Sequence, residues 1–232
     1  MTTVWTIGHS TRTAAEFFAL LQENRIEMVA DVRHFPGSRR FPQFNQARLR
    51  GSLAEGGIGY VHLPELGGRR PARPGSRNLV WRDASFRGFA DHMETPEFGA
   101  GIEHLLGLAR SRRTVVMCAE AVWWRCHRSL IADLLKSVGV RVLHILGPGR
   151  VEEHPYTAAA RVVDGRLTYV PAPARPEPRT APEASAMPHV KVGDPVERHS
   201  EAGRKTGYPV MPKSPALRKV PKSRKNRPSP LA

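Results

Sequence analysis

The chain has 232 residues and a mass of 25.8 kDa, room for one globular domain and an extension. Its 36 Lys and Arg against 21 Asp and Glu give a formal net charge of +15, a balance that favours anionic partners. Two cysteines cannot supply a disulfide scaffold, no apolar run is long enough for a membrane span, and Met1-Thr2-Thr3-Val4-Trp5 has no basic and apolar regions of a secretory signal. A cytoplasmic protein with free thiols and no membrane partner is therefore expected.

Along the chain, short apolar runs alternate with amphipathic ones. Val4-Trp5-Thr6-Ile7 reads as a strand that ends at Gly8-His9-Ser10. Thr13-Ala14-Ala15-Glu16 has the form of a capping box, with Phe17, Leu20 and Leu21 following at helical spacing. Ser10 or Thr11 is a second candidate for capping that helix. Met28 to Val32 is a second strand and Phe44 to Glu55 a helix stopped by Gly56-Gly57. Tyr60 to Leu63 is a third strand. Thr95-Pro96 opens another helix, with proline at its first position. Thr114 to Cys118 is the fourth strand, Cys126 to Val138 a helix closed by Gly139, and Val140 to Leu146 the fifth strand. Apolar strands separated by helices predict an α/β fold, a Rossmann-like or flavodoxin-like three-layer sandwich with a mostly parallel sheet. One sequence does not give the strand order.

The composition changes near residue 170. Residues 171–232 hold 13 of the 21 prolines and carry 13 basic against 5 acidic residues. Such a segment buries too little apolar surface to offset its ordering entropy, so an α/β domain over 1–170 and a disordered basic tail over 171–232 are expected. The tail's charge would attract nucleic-acid phosphates without regard to sequence, or serve only to keep the chain in solution.

In open α/β sheets, ligands bind beyond the carboxyl ends of the strands. The residues that follow the five strands include His9 and Ser10, Asp31 and Arg33, Gly67-Gly68-Arg69-Arg70, the segment from Cys118 to Arg128, and Gly147-Pro148-Gly149-Arg150 with His154. Cys126 falls near a helix N-terminus, where free N–H groups favour a thiolate. With His127 it forms a candidate reactive pair, and both cysteines can alternatively be buried packing residues. Glu120, Asp31 and His9 are candidate acid, base or orienting groups. Arg33, Arg128, Arg125 and Ser10 are candidate anion contacts. Asp31 and Arg33 can equally form a mutual ion pair that fixes the strand end, and His9 can simply pack. Trp123, Trp124 and Cys118 are candidate wall residues. Arg39-Arg40 and Arg69-Arg70 read as solvated loops or as a phosphate-facing rim. A metal site is the other possibility for Cys118, Cys126 and His127, with His9 as a fourth ligand, but the spacing is not that of a zinc finger or ribbon and the primary expectation is no metal. The absence of GxGxxG and GxxxxGK[ST] gives no reason to expect a cofactor. An arginine six residues after Cys118, as a phosphatase loop requires, is also missing: Trp124 stands there.

Thr6-Ile7-Gly8-His9-Ser10-Thr11, Asp31-Val32-Arg33, Phe41-Pro42-Gln43-Phe44-Asn45, Leu66-Gly67-Gly68-Arg69, Ala84-Ser85-Phe86-Arg87-Gly88, Cys118 to Arg128 and His144-Ile145 occur in this order. Together they resemble the bacterial family catalogued as domain of unknown function 488, over about residues 3–170. The resemblance implies a soluble Rossmann-like α/β domain and supplies no reaction. The reading that follows is an enzyme acting on an anionic ligand, phosphate-bearing and of the nucleotide or nucleic-acid-end type, through the Cys/His/Glu/Arg cluster. A nucleic-acid-binding module using the basic tail is the alternative from charge. A thiol redox or sulfur-carrier protein is the alternative from the two cysteines.

Overall fold

The computed structural model describes residues 1–172. The tail expected over 171–232 lies, apart from its first two residues, outside the described residues. The apolar runs form β1 (Thr3–Gly8), β2 (Met28–Asp31), β3 (Gly59–His62), β4 (Thr114–Cys118) and β5 (Arg141–Gly147). These pair in parallel in the order β3-β2-β4-β1-β5, and β6 (Arg150–Glu153) adds to the edge antiparallel to β5.

Side chains alternate across each strand, and each face of the sheet is covered. On one face, Trp5, Ile7, Val29, Val115 and Met117 pack with Phe17, Leu20 and Leu21 of α1 (Ala14–Glu23) and Leu49 and Leu53 of α2 (Gln46–Glu55). On the other, Val4, Ala30, Val116, Cys118 and Val142 meet α3 (Ala84–His92), α4 (Pro96–Ser111) and α5 (Arg128–Ser137). The protein is thus an α/β three-layer sandwich with a mostly parallel sheet. Its strand order matches neither the Rossmann order 3-2-1-4-5-6 nor the flavodoxin order 2-1-3-4-5.

The local signals at helix starts are realised in the structure. Glu16 N–H donates to Thr13 Oγ1 at 3.2 Å while Thr13 N–H donates to Glu16 Oε2 at 2.7 Å, so Thr13 caps α1 and neither Ser10 nor Thr11 does. Thr95 caps α4, accepting from Phe98 N–H. Three boundaries differ from the pattern. Pro42–Phe44 is a separate 3₁₀ turn, because Asn45 is extended and its Oδ1 accepts from Ser38 N–H at 2.6 Å, which delays α2 to Gln46. Cys126 is extended as well, so α5 begins at Arg128. The third difference is Gly147-Pro148-Gly149-Arg150, which is the hairpin turn from β5 into β6 rather than a loop at the site.

β6 leads His154 back into the interior, where a directed hydrogen-bond chain is assembled. Asp133 Oδ1 can only accept, so His154 Nε2–H donates to it at 3.0 Å. In neutral His154, Nδ1 then accepts from His144 Nε2–H at 2.9 Å, and His144 Nδ1 accepts from Thr6 Oγ1–H at 2.7 Å. Thr6, Asp133, His144 and His154 are all buried, and Trp123 stacks on His144 at 4.5 Å. A two-stranded hairpin, β7 (Arg161–Val163) and β8 (Arg166–Thr168), turns through Asp164-Gly165, both with left-handed φ. It delivers Tyr169, whose hydroxyl donates to Asp133 Oδ2 at 2.9 Å.

Burial first, then the positive charge that His154 carries when protonated and that of Arg128, push the His144 pKa down to about 3. In the unfolded chain it titrates near about 6.5, so on acidification the unfolded state takes up this proton first. The stability supplied by neutral His144 is complete above pH ~6.5 and is lost as the pH falls toward 3, on the order of 5 kcal/mol in all. Urea unfolding at a series of pH values between 7 and 4 should show this decline. His144→Phe, which keeps a ring against Trp123, should flatten it; an unchanged slope would place the acid sensitivity at other groups.

Candidate functional site

The carboxyl ends of β1, β2 and β4 converge. Beyond the strands, His9 N–H donates to Cys118 O at 2.9 Å and Ser10 N–H to Ala119 O at 2.8 Å, so the β1–β4 pairing continues into the loops. This requires Gly8: a Cβ there would stand 1.7 Å from Glu120 O and 2.9 Å from Arg128 Nη2. Next to this crossing lies a cavity of about 310 Å³. Its floor is Cys118, Cys126 and His127, and Glu120 and Arg125 come from the same segment. The opposite wall is Arg33, His34 and Phe35 after β2, Gly68 and Arg69 after β3, and Phe86 of α3.

The wall formed by Gly68 and Arg69 is held from below. Asp91 accepts from Arg73 N–H at 2.8 Å, Ser76 Oγ–H at 2.6 Å and Asn78 Nδ2–H at 2.8 Å, which fixes the loop ahead of α3. Gly88 lets that loop lie against α3, since a Cβ there would be 2.1 Å from Arg70 O. Arg70 turns away toward Pro64 O and Glu97, whereas Arg69 is exposed at the cavity. Arg39 and Arg40 do not line it; Arg40 lies over Phe41.

The floor gathers Cys126 and His127, the candidate pair of the sequence, and adds Cys118. The two sulfurs and His127 Nδ1 all lie within 4.8 Å of one another. His127 Nδ1 is 3.7 Å from Cys126 Sγ and 3.9 Å from Cys118 Sγ, while Nε2, 3.1 Å from Val32 O, must carry a proton because a carbonyl only accepts. Arg128 is buried behind the floor. Its Nε–H points at Cys126 Sγ at 3.4 Å and its Nη2–H donates to Glu120 O at 2.5 Å. It therefore contacts the sulfur, not the cavity. The two thiols divide their protonation. The hydrogen bond to Cys126, burial and the neighbouring charge hold the Cys118 thiol well above the usual range. Burial also opposes ionisation of Cys126, but the hydrogen bond from Cys118 and the Arg128 charge outweigh it and hold that thiol well below.

Asp31 and Arg33 form the mutual pair. Arg33 Nε–H and Nη2–H donate to the carboxylate at 2.8 and 2.5 Å, and Tyr60 Oη–H adds a bond at 2.8 Å. With Arg33 N–H at 3.0 Å, both oxygens of the buried Asp31 are occupied. Arg33 keeps Nη1, directed at His9 Nε2 at 3.5 Å. His9 stacks on Phe44 at 4.3 Å, donates from Nδ1 to Ser10 O, and is held neutral, its pKa down to about 4 through burial and the Arg33 charge. His9 and Asp31 thus stand one layer behind the cavity. Ser10 is half-buried in a left-handed turn and does not line it.

Two wall assignments change. Trp123 is buried against His144 and His154, and Trp124 is about half exposed outside the cavity. The aromatic wall is instead Phe35 and Phe86, and sequence reading missed His34 and Phe35 there. The only signal for them was their position directly after Asp31-Val32-Arg33. Arg69 and Arg125 are the cavity's exposed guanidiniums, with no hydrogen bond or ion pair among the described residues. Glu120 is the exposed carboxylate of the lining.

No helix among the described residues is long and apolar enough to cross a membrane. No curated protein and no solved structure matches the chain. One family model matches, over residues 13–135, a span that holds the Cys118–Arg128 segment and leaves out Thr6–Thr11 and His144-Ile145. With more than half its length matched in this way, and with the cavity floor inside the match, the chain belongs to the family described as Domain of unknown function DUF488.

Proposed function

We propose that the protein is an enzyme that binds a small phosphate-bearing anion in this cavity and acts on it at the Cys118–Cys126–His127 cluster. The observation that carries the reading is convergence: two exposed guanidiniums without an ion pair among the described residues and three donor atoms of reactive type line one half-open cavity. About 310 Å³ suits a ligand of mononucleotide size or smaller, at the low end of ligand pockets.

Arg69 and Arg125 hold the charged group at the mouth, and Cys126 is the floor group that meets the ligand. Glu120 is placed to exchange a proton with it or with water. Arg128 sets the charge around the sulfur, and Asp31, Tyr60 and His9 orient Arg33; these are positioning residues.

Competition between two alkylating agents tests the binding half of this reading. The full-length chain, with reductant and chelator present, is treated with iodoacetate or with neutral iodoacetamide. A cationic cavity concentrates the anion, so the iodoacetate-to-iodoacetamide rate ratio at Cys126 should exceed that of an Arg69→Gln/Arg125→Gln chain by about tenfold. Millimolar inorganic phosphate or pyrophosphate should slow the reaction of the unmodified chain. Equal ratios in the two proteins, with no protection by either anion, would remove the proposal.

A further inference from the structure

We propose that Cys118 Sγ, Cys126 Sγ and His127 Nδ1 bind one soft divalent ion of the zinc class, with the fourth position open to the cavity. This rests on the reading of the cluster as the centre of the site, and it states what that centre holds.

The separations carry the argument. Ligands at about 2.3 Å for sulfur and about 2.0–2.1 Å for nitrogen around a tetrahedral zinc lie roughly 3.6 Å from each other. The two S···N distances here are 3.7 and 3.9 Å, long for direct hydrogen bonds and within a few tenths of an ångström of that requirement. The imidazole also has the matching tautomer. Its Nε2–H is committed to Val32 O, so in the neutral ring the lone pair is on Nδ1, the atom that faces both sulfurs. A backbone carbonyl on the far nitrogen is a usual way in which proteins orient a metal-binding histidine. The Arg128 Nε–H directed at Cys126 Sγ is an outer hydrogen bond of the same kind.

The space is kept as well. Gly68 packs on the face of the imidazole, where a Cβ would lie 2.7 Å from Nδ1 and 3.1 Å from Cγ, so glycine at this position lets the ring stay where Nδ1 meets both sulfurs. All three donors line the cavity. Three protein ligands and an open position are the pattern of catalytic rather than structural zinc, and two sulfurs select zinc-class ions over magnesium or calcium. The spacing, eight residues from Cys118 to Cys126 and then the adjacent His127, belongs to no zinc ribbon. The donors are joined by the fold, with one at the end of β4 and two just before α5.

Cobalt(II) is the probe. Added under reducing conditions to the full-length, chelator-treated chain, it should bind one to one. It should give a thiolate-to-cobalt band in the near ultraviolet and the intense visible bands of tetrahedral cobalt, and zinc should abolish both. Cys118→Ser, Cys126→Ser and His127→Gln should each weaken binding by at least about tenfold, and Arg128→Met by about 10–100-fold as an outer partner. Glu120→Gln should leave it unchanged. Wild-type protein without these bands overturns the inference whatever the variants do, and so do bands that persist in the cysteine variants. Circular dichroism separates a lost ligand from a lost fold. If cobalt fails to bind while the alkylation preference for iodoacetate persists, the metal centre falls and the anion-binding reading stands. If cobalt binds and the preference is absent, the reverse holds.

Discussion

Replacing Asp133 by Ala should lower the unfolding free energy by about 3–5 kcal/mol, because several buried donors lose their one shared acceptor. The carboxylate is completely buried on α5 and accepts four hydrogen bonds: His154 Nε2–H at 3.0 Å, Thr157 N–H at 2.8 Å, Thr157 Oγ1–H at 2.6 Å and Tyr169 Oη–H at 2.9 Å. Three residues on the segment from 154 to 169 are thus pinned to one helix by one side chain. Alanine would leave their donors buried without acceptors, each costing roughly 1–3 kcal/mol. Tyr169→Phe removes one donor and leaves the carboxylate three partners, so it should cost only about 1 kcal/mol. Urea denaturation of both variants gives the comparison. An Asp133→Ala chain as stable as Tyr169→Phe would show that the network is not what attaches this segment.

The second large effect is expected at Gly8, where stability and site geometry change together. A methyl group at this position would overlap Glu120 O at 1.7 Å and press on the Arg128 guanidinium at 2.9 Å. Neither can yield cheaply. The carbonyl belongs to the backbone that carries Cys118 and accepts from Arg128 Nη2–H, and Arg128 is packed beneath Cys126. Gly8→Ala should therefore cost about 2–4 kcal/mol, as overpacking against rigid neighbours does. It should also displace Cys118 from Cys126. Denaturation midpoints read the first effect and thiol reactivity toward a neutral alkylating agent the second. Gly51→Ala, where a Cβ meets nothing within 4 Å on the exposed side of α2, is the control and should be neutral or slightly stabilising. Equal behaviour of the two variants would mean that the β1–β4 crossing has slack that the packing does not show.

Much of the layer structure was legible, because parallel strands covered on both faces read as unbroken apolar runs: Met28–Ala30 and Val115–Met117 are buried throughout. Strand order was not legible, since β1 pairs with β4 and β5 from far along the chain. β6 escaped because all four of its residues are exposed. α3 escaped because it buries Asp91 and His92 along with Phe89, which masks its apolar stripe. The β7–β8 hairpin did leave a signal, Asp164-Gly165, that went unused.

At the site, the Cys118–Arg128 segment announced itself by residue type. The direction of its side chains did not, and that decided the outcome for several of them. Arg128 points inward to sulfur, Trp123 points to the histidines, and Arg125 alone of the segment's arginines reaches the cavity. Arg69 was read with Arg70 as one loop pair, although one is tethered to Glu97 and the other is not.

All three sulfur and imidazole donors sit within ten consecutive positions, 118 to 127, braced from beneath by α5 and the end of β1. The groups that face them across the cavity come from elsewhere, Phe35 from the segment after β2 and Arg69 from that after β3. The three donors therefore come from one short stretch of the chain, and of the cavity's two exposed guanidiniums only Arg125 comes with them. In the proposed enzyme, substitutions at Phe35 and Arg69 would change what enters while leaving the donors in place, whereas Gly68, packed on the His127 ring, belongs with the donors it faces.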